Sequence, residues 1–227
     1  MNSTGAGRQH QVNCVTRVLL ARHGQTDWNA TGRYHGQADV PLNEVGRAQV
    51  AALAEVLTDE HFDVIASSSL VRAYDTALAV AAGRGLEVLV DDRLLEVDVG
   101  EWTGWLEDAV YADDPAFAEA RQSGADHQLS ASGEWISQLA WRVASGIHGI
   151  AAGHRGKSIL MVSHSFGLQA GLGELLGWSV QQSRRVEGLF NCALSELTLV
   201  DDQWRLVAHN ICHDQIPQQR SGEVKTV

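Results

Sequence analysis

Four residues of this 227-residue chain have the chemistry to grip and transfer a tetrahedral anion. They are Arg22 and His23 in "VLLARHGQTDWN" (18–29), Arg72 in "SSSLVRAYDTA" (67–77) and His164 in "MVSHS" (161–165). Two guanidiniums offer planar donor forks matched to phosphate oxygens. Two histidines add a nucleophile and a further donor. Such a site needs no lysine, carboxylate pair or thiol. A core strand usually ends in turn residues, so a strand that ends in Arg-His is aimed at a ligand.

The elements that must position these residues follow from the apolar pattern. Arg17 to Ala21, "DVIASS" (63–68) and "SILMVS" (158–163) read as strands, the first and third strongly apolar as in a strand buried on both faces. A short strand is expected near "EVLV" (87–90), and "ALSELTLV" with "WRLVAHNI" reads as a closing hairpin across Asp201-Asp202-Gln203. Helices are expected from Asn43, an N-cap, to Leu57, over Leu70–Ala82, Glu134–Ala152 and Phe166–Leu176. Residues 106–133 are acidic and irregular and read as a helical insertion with loops. Alternating strands and helices predict a three-layer α/β/α sandwich around a mostly parallel sheet, with the insertion over the site. In such sheets ligands sit beyond the C-terminal strand ends, where Arg22-His23, Arg72 and His164 all fall.

Composition narrows the partners. There are 17 Lys+Arg against 28 Asp+Glu, a formal charge of -11, so the basic footprint of a nucleic-acid or anionic-membrane surface is missing. Any anion must be held by a few focused cations. Hydrophobic residues make up 44% of the chain, enough for one domain, expected over 16–216 with loosely ordered tails at 1–15 and 217–227. Cys14, Cys192 and Cys212 are odd in number and read as reduced thiols of a cytoplasmic protein. The N-terminus lacks an apolar leader, and no run approaches the length of a membrane span. "GHRGKS" (153–158) has Ala151 where a P-loop needs glycine, and it precedes a strand instead of following one.

With these residues in place, the chain resembles the histidine phosphatase superfamily, which includes the cofactor-dependent phosphoglycerate mutases. The resemblance is carried by "RHGQTDWN", "GRYHGQADVPLNEVGRAQ" (32–49), "SSSLVRAYDTA", "LLEVDVGEWTG" (94–104) and "MVSHS", in that order. It implies that His23 attacks phosphorus and becomes a phosphohistidine, while Arg22, Arg72 and His164 hold the equatorial oxygens. Asn29 resembles the family's additional phosphate donor, and Glu96 matches its proton donor to the leaving alcohol, with neighbouring Asp98 and Glu101 as the alternatives. His35 and Gly36 occupy a loop that often contacts phosphate or substrate, though they also read as plain loop residues. Ser165 stands where relatives carry glycine; its backbone N–H can still face phosphate and its hydroxyl adds a donor. Glu134 is expected at the family's glutamate position, with Trp135 replacing a small polar residue. The resemblance implies no metal and no cofactor.

The expected activity is hydrolysis of a small phosphorylated metabolite. A cofactor-dependent mutase is the alternative, and a non-catalytic phospholigand-binding relative is a third reading, which the intact Arg22, His23, Arg72, Glu96 and His164 oppose. The mutase is disfavoured because "WLEDAVYADDPAFAEARQSGADHQ" (105–128) holds one arginine, Arg121, among many carboxylates, and would repel a second anion. Trp28, Trp102 and Trp105 read equally as pocket walls or core. His127, within the insertion, is the one remaining histidine with a path to the mouth. A homodimer is left open by the sequence.

Overall fold

Strand β1 (Thr16–Arg22) has no polar face: Val18 and Leu20 turn to one side, Leu19 and Ala21 to the other, none more than 3% exposed. β4 (Ser158–Ser163) repeats this with Ile159 and Met161 against Leu160 and Val162. Successive side chains of a strand point to opposite faces, so each strand feeds two cores, and both faces of the sheet must be covered. The computed structural model describes residues 14–214 and 216. The expected tails fall almost entirely outside the described residues.

With β2 (Val64–Ser67), β3 (Val88–Val90), β5 (Leu194–Val200) and β6 (Gln203–Ile211), these strands form a six-stranded sheet of order β3-β2-β4-β1-β5-β6. The first four strands in that order are parallel; β5 and β6 run antiparallel, as the expected hairpin. The hairpin turns on Asp201 and Asp202 at φ 50° and 60°, left-handed values that aspartate tolerates and a two-residue turn of this type requires.

Helices α2 (Glu44–Val56) and α3 (Val71–Ala81) cover one face through Val50, Leu53, Ala73, Ala77 and Val80. Asn43 caps α2 as expected, its Oδ1 accepting the Gly46 N–H at 2.8 Å. α6 (Ile136–Gly153) and α7 (Ser165–Leu175) cover the other face through Leu139, Val143, Ile147, Leu168 and Leu172. α6 starts two residues later than its sequence pattern suggests, because the Glu134 N–H is taken by the Asp98 carbonyl and its carboxylate is held in an ion pair with Arg142 before the helix begins. α1 (Asp27–Ala30) is a single turn after β1, and α8 (Val180–Ser183) a single turn after α7. The insertion contains α4 (Glu107–Asp113) and α5 (Pro115–Ser123), with Pro115 in the first turn of α5 and Asp114 capping it. Its small core packs Val110, Phe117 and Leu129 on Trp102, which is 1% exposed and so belongs to the core.

The chain leaves β1 toward the α2 face and leaves β4 toward the α7 face. Between these neighbouring strands the connections part, opening a crevice at their C-terminal ends. The parallel register pairs Arg22 with Ser163, and the His23 N–H donates to the Ser163 carbonyl at 3.1 Å. The next residues, His23 and His164, therefore stand side by side with ring centroids 5.1 Å apart. They are 3% and 0% exposed.

Burial, followed by the nearby Arg72, holds both imidazoles well below their ordinary range, so both are neutral in the folded protein. In the unfolded chain they bind protons below pH ~6.5, so unfolding takes up protons there and stability falls as pH falls. Each should contribute a slope of roughly 1.4 kcal/mol per pH unit below that point. Urea unfolding between pH 7.5 and 5 measures it; in His164→Asn the slope should lessen by about one proton. An unchanged slope would mean that this imidazole is already charged in the fold.

Candidate functional site

Three strand ends supply the site. β1 supplies Arg22 and His23, β4 supplies His164, and the loop after β2 leads into α3 and Arg72. Gly24 lets the chain turn tightly after His23: a Cβ there would lie 2.6 Å from the Gly46 carbonyl oxygen and 2.8 Å from Val50 Cγ2. His23 Nδ1 lies 2.6 Å from the Gly24 carbonyl, so this nitrogen carries the proton and donates it. The Nε2 lone pair is thereby left available on a neutral ring.

Both arginines are oriented by carbonyls, which leave their charge uncancelled. Arg22 Nη1 donates to Leu189 O at 2.9 Å. Arg72 Nη1 and Nη2 donate to Ala38 O at 2.7 Å and Gly36 O at 3.1 Å. Burial pulls each guanidinium down to about 10, so both stay charged at neutral pH. His164 Nε2 lies 2.7 Å from the Ser68 hydroxyl. Arg22 Nε, Arg72 Nε and His164 Nδ1 are buried and have no partner. With the Ser68 hydroxyl donating to Nε2, neutral His164 carries its proton on Nδ1. Buried unpaired donors are costly, and three from separate elements around one imidazole are arranged so that one anion can satisfy them together.

Glu96 is the carboxylate of this cluster and raises the charge preference of both arginines. Its Oε1 accepts the N–H groups of Gly167 at 2.8 Å and Val97 at 2.9 Å, whereas Oε2 accepts only Phe166 N–H at 3.3 Å. Glu96 thus caps the N-terminus of α7, the helix that follows His164. Arg142 fixes its loop from behind, donating to the carbonyls of Arg93, Leu95 and Glu96 while pairing with Glu134 at 2.7 Å. Glu134 supports the Glu96 loop through Arg142 and the Asp98 N–H.

Asn29 sits on α1 with its Oδ1 taken by Thr26 N–H at 3.1 Å and Asn191 Nδ2 at 3.4 Å, so its Nδ2 is the end left to donate. Asn191 also donates to His23 O at 2.9 Å. His35 Nε2 lies 2.6 Å from Thr26 Oγ1, and its ring packs at 5.4 Å on Trp28. Burial, with Arg72 and Arg22 nearby, pulls His35 down to about 3. These contacts make His35 a neutral prop for the Asn29 turn. Gly36 has φ 51° and gives its carbonyl to Arg72; a Cβ there would lie 2.7 Å from Val99 Cγ2. Ser165 spends its hydroxyl proton on Leu189 O at 3.0 Å, which leaves its backbone N–H at the start of α7. His127 is tied inside the insertion, 2.9 Å from Asp114 and against Phe117. Trp105 is 38% exposed.

Sequence reasoning did not single out Ser68, Thr26, Asn191 or the Leu189 carbonyl. Ser68 lay in a quoted block, where a hydroxyl beside a strand end was a usable signal. Asn191 and Leu189 carried none, because they meet the site only through the fold. Among the described residues no cluster of three or more metal-ligating side chains occurs, and no helix is long and apolar enough to cross a membrane.

Residues 18–212 match the histidine phosphatase superfamily (branch 1). The chain is 36% identical over 194 residues to the metal-independent phosphoserine phosphatase of Arabidopsis thaliana, covering 84% of this chain and 79% of that protein. It is 31% identical over 190 residues to a probable phosphoglycerate mutase of Yersinia pestis, covering 84% of this chain and 88% of that one. The structure of mycobacterial glucosyl-3-phosphoglycerate phosphatase complexed with VO3 aligns with a TM-score of 0.78 at 33% identity, over 86% of this chain and 99% of that one. A sheet whose two central strands end in Arg-His and His, the ordered blocks around them and this match over nearly the whole chain agree: the protein belongs to the histidine phosphatase superfamily, branch 1.

Proposed function

We propose that the protein is a phosphomonoesterase of small phosphorylated metabolites that works through a phosphohistidine at His23. The observation that carries this reading is the neutral His23 ring set among the unpartnered donors Arg22 Nε, Arg72 Nε and His164 Nδ1. An ester phosphate seated there places three non-bridging oxygens against those donors and against Asn29 Nδ2. His23 Nε2 attacks phosphorus in line, the N–P bond forms and the P–O bond to the alcohol breaks. The arginines stabilise the charge on the equatorial oxygens. Glu96 gives the leaving oxygen a proton; Oε2, which accepts one long bond, is the oxygen suited to carry it. Water then attacks phosphorus, Glu96 takes its proton, and phosphate leaves His23 neutral again. The arginines supply the positive charge for both steps, and the metal-independent relative accords with this.

Hydrolysis is favoured over mutase action by the acidity of α4 and α5. They carry Glu107, Asp108, Asp113 and Glu119, and their Arg121 is paired with Glu107 at 3.2 Å. Such a cover does not hold a bisphosphate in place while it turns round. Cys14, Cys192 and Cys212 are all free thiols, in keeping with a cytoplasmic enzyme.

The direct test supplies 3-phosphoglycerate with catalytic 2,3-bisphosphoglycerate in the presence of EDTA, and follows free phosphate and 2-phosphoglycerate together. Phosphate release from this or another ester should exceed isomerisation; isomerisation well above release would make the protein a mutase. Glu96→Gln keeps the shape of the acid but cannot donate, so kcat on alkyl phosphates should fall about 10²–10⁴-fold. In a single turnover an aryl ester with a good leaving group should lose much less. Equal losses in that step would remove Glu96 from the acid role.

A further inference from the structure

Among the described residues, the arginines with buried, unpartnered nitrogens are Arg22, Arg72 and Arg184. The first two belong to the phosphate seat. Arg184 is the C-cap of α8, and its Nε and Nη2 are both unsatisfied. These two nitrogens form one edge of the guanidinium, the edge that binds a carboxylate with two parallel hydrogen bonds.

Arg184 has no carboxylate among its principal electrostatic neighbours, in a chain of 28 acidic residues. Those neighbours are Arg121, Tyr111 and Tyr34. Arg121 is already engaged: it pairs with Glu107, donates to the Tyr34 hydroxyl and lies over the Tyr111 ring. Arg184 therefore keeps an unspent charge where the insertion meets α8. The two elements are in tight contact, since a Cβ on Gly124, which ends α5, would lie 2.5 Å from Gln181 Cα.

The position adjoins the catalytic centre on two sides. Arg184 shares a pocket with Phe166, Gln169 and Ile136, and the Phe166 N–H holds Glu96 Oε2. On the other side, Tyr34 directly precedes His35, the prop of the Asn29 turn. The start of α7 and the Tyr34–His35 segment thus link this corner to the phosphate seat. Arg121 is the arginine of the insertion itself, whose acidity predicts repulsion of a second anion. The fold brings another arginine to it from α8, enough for one carboxylate but not for the dianionic second end of a bisphosphate.

We propose that Arg184 is a specificity residue that binds a carboxylate on the alcohol moiety of the substrate through its Nε/Nη2 edge. This rests on the phosphatase reading above and defines its substrate class as phosphorylated hydroxy acids.

The test compares O-phosphoserine and 3-phosphoglycerate with phenyl phosphate, which has no carboxylate, on the wild type, Arg184→Gln and Arg184→Lys. In Arg184→Gln the KM of at least one carboxylate ester should rise about tenfold or more, with kcat/KM on phenyl phosphate within about twofold of wild type. Arg184→Lys should recover part of the loss. Equal losses on all three esters, or none on any, would overturn the proposal. A measurement on the wild type guards against a misfolded variant: glycerate should inhibit phenyl phosphate hydrolysis competitively and glycerol should not. Equal inhibition by the two counts against Arg184. Wild-type turnover of phenyl phosphate judges the phosphatase reading separately. Were it absent, calorimetric binding of 3-phosphoglycerate to wild type and Arg184→Gln would decide the role of Arg184 by the same ratio.

Discussion

The site depends on one backbone register. Because Arg22 on β1 lies opposite Ser163 on β4, the residues that follow them emerge together at the C-terminal edge of the sheet. A slip of one residue would turn His23 or His164 to the other face and send each apolar side chain of that strand into the core shaped for its neighbour. The register is held by cores on both faces, so the geometry of two imidazoles 5.1 Å apart is maintained by leucines and valines far from them. β2 extends the same order: the Ser68 N–H donates to the Val162 carbonyl at 3.2 Å, which brings its hydroxyl to His164.

Upon this frame the electrostatics are arranged to be incomplete without an anion. Arg22 and Arg72 are aimed by carbonyl oxygens, which fix direction without cancelling charge. Burial, with their field added to it, keeps His23 neutral. Glu96 faces the arginines but is anchored by α7 amides, and so stays apart from them. Buried unsatisfied nitrogens are costly, and donors fixed in advance in this way suit developing negative charge, as the proposed phosphoryl transfer requires.

Much of this arrangement was legible in the sequence. β1 and β4 were readable because both their faces are apolar, and Arg22-His23 and His164 because they stand directly after such runs. Asn43 and the Asp201-Asp202 turn were readable because their side chains do local work. Glu96 was different. Nothing local distinguishes it from any solvated carboxylate, and its position depends on Arg142 and on amides about seventy residues away. The start of α6 was misjudged because the Glu134 N–H is taken by the Asp98 carbonyl, a tertiary contact that together with the Glu134–Arg142 pair overrides helix propensity. Asn191 and Arg184 were illegible for the same reason: their neighbours come from segments that only the fold brings near.

The central claim is that phosphorus becomes bonded to His23. Mixing the enzyme with a ³²P-labelled monoester, quenching in alkali within milliseconds and mapping the labelled peptide tests it most directly, because phosphohistidine survives alkali and is cleaved by acid. The account predicts an acid-labile label on His23 that appears before free phosphate and is absent from a folded His23→Ala protein. Label on another residue, or full turnover by His23→Ala, would contradict it.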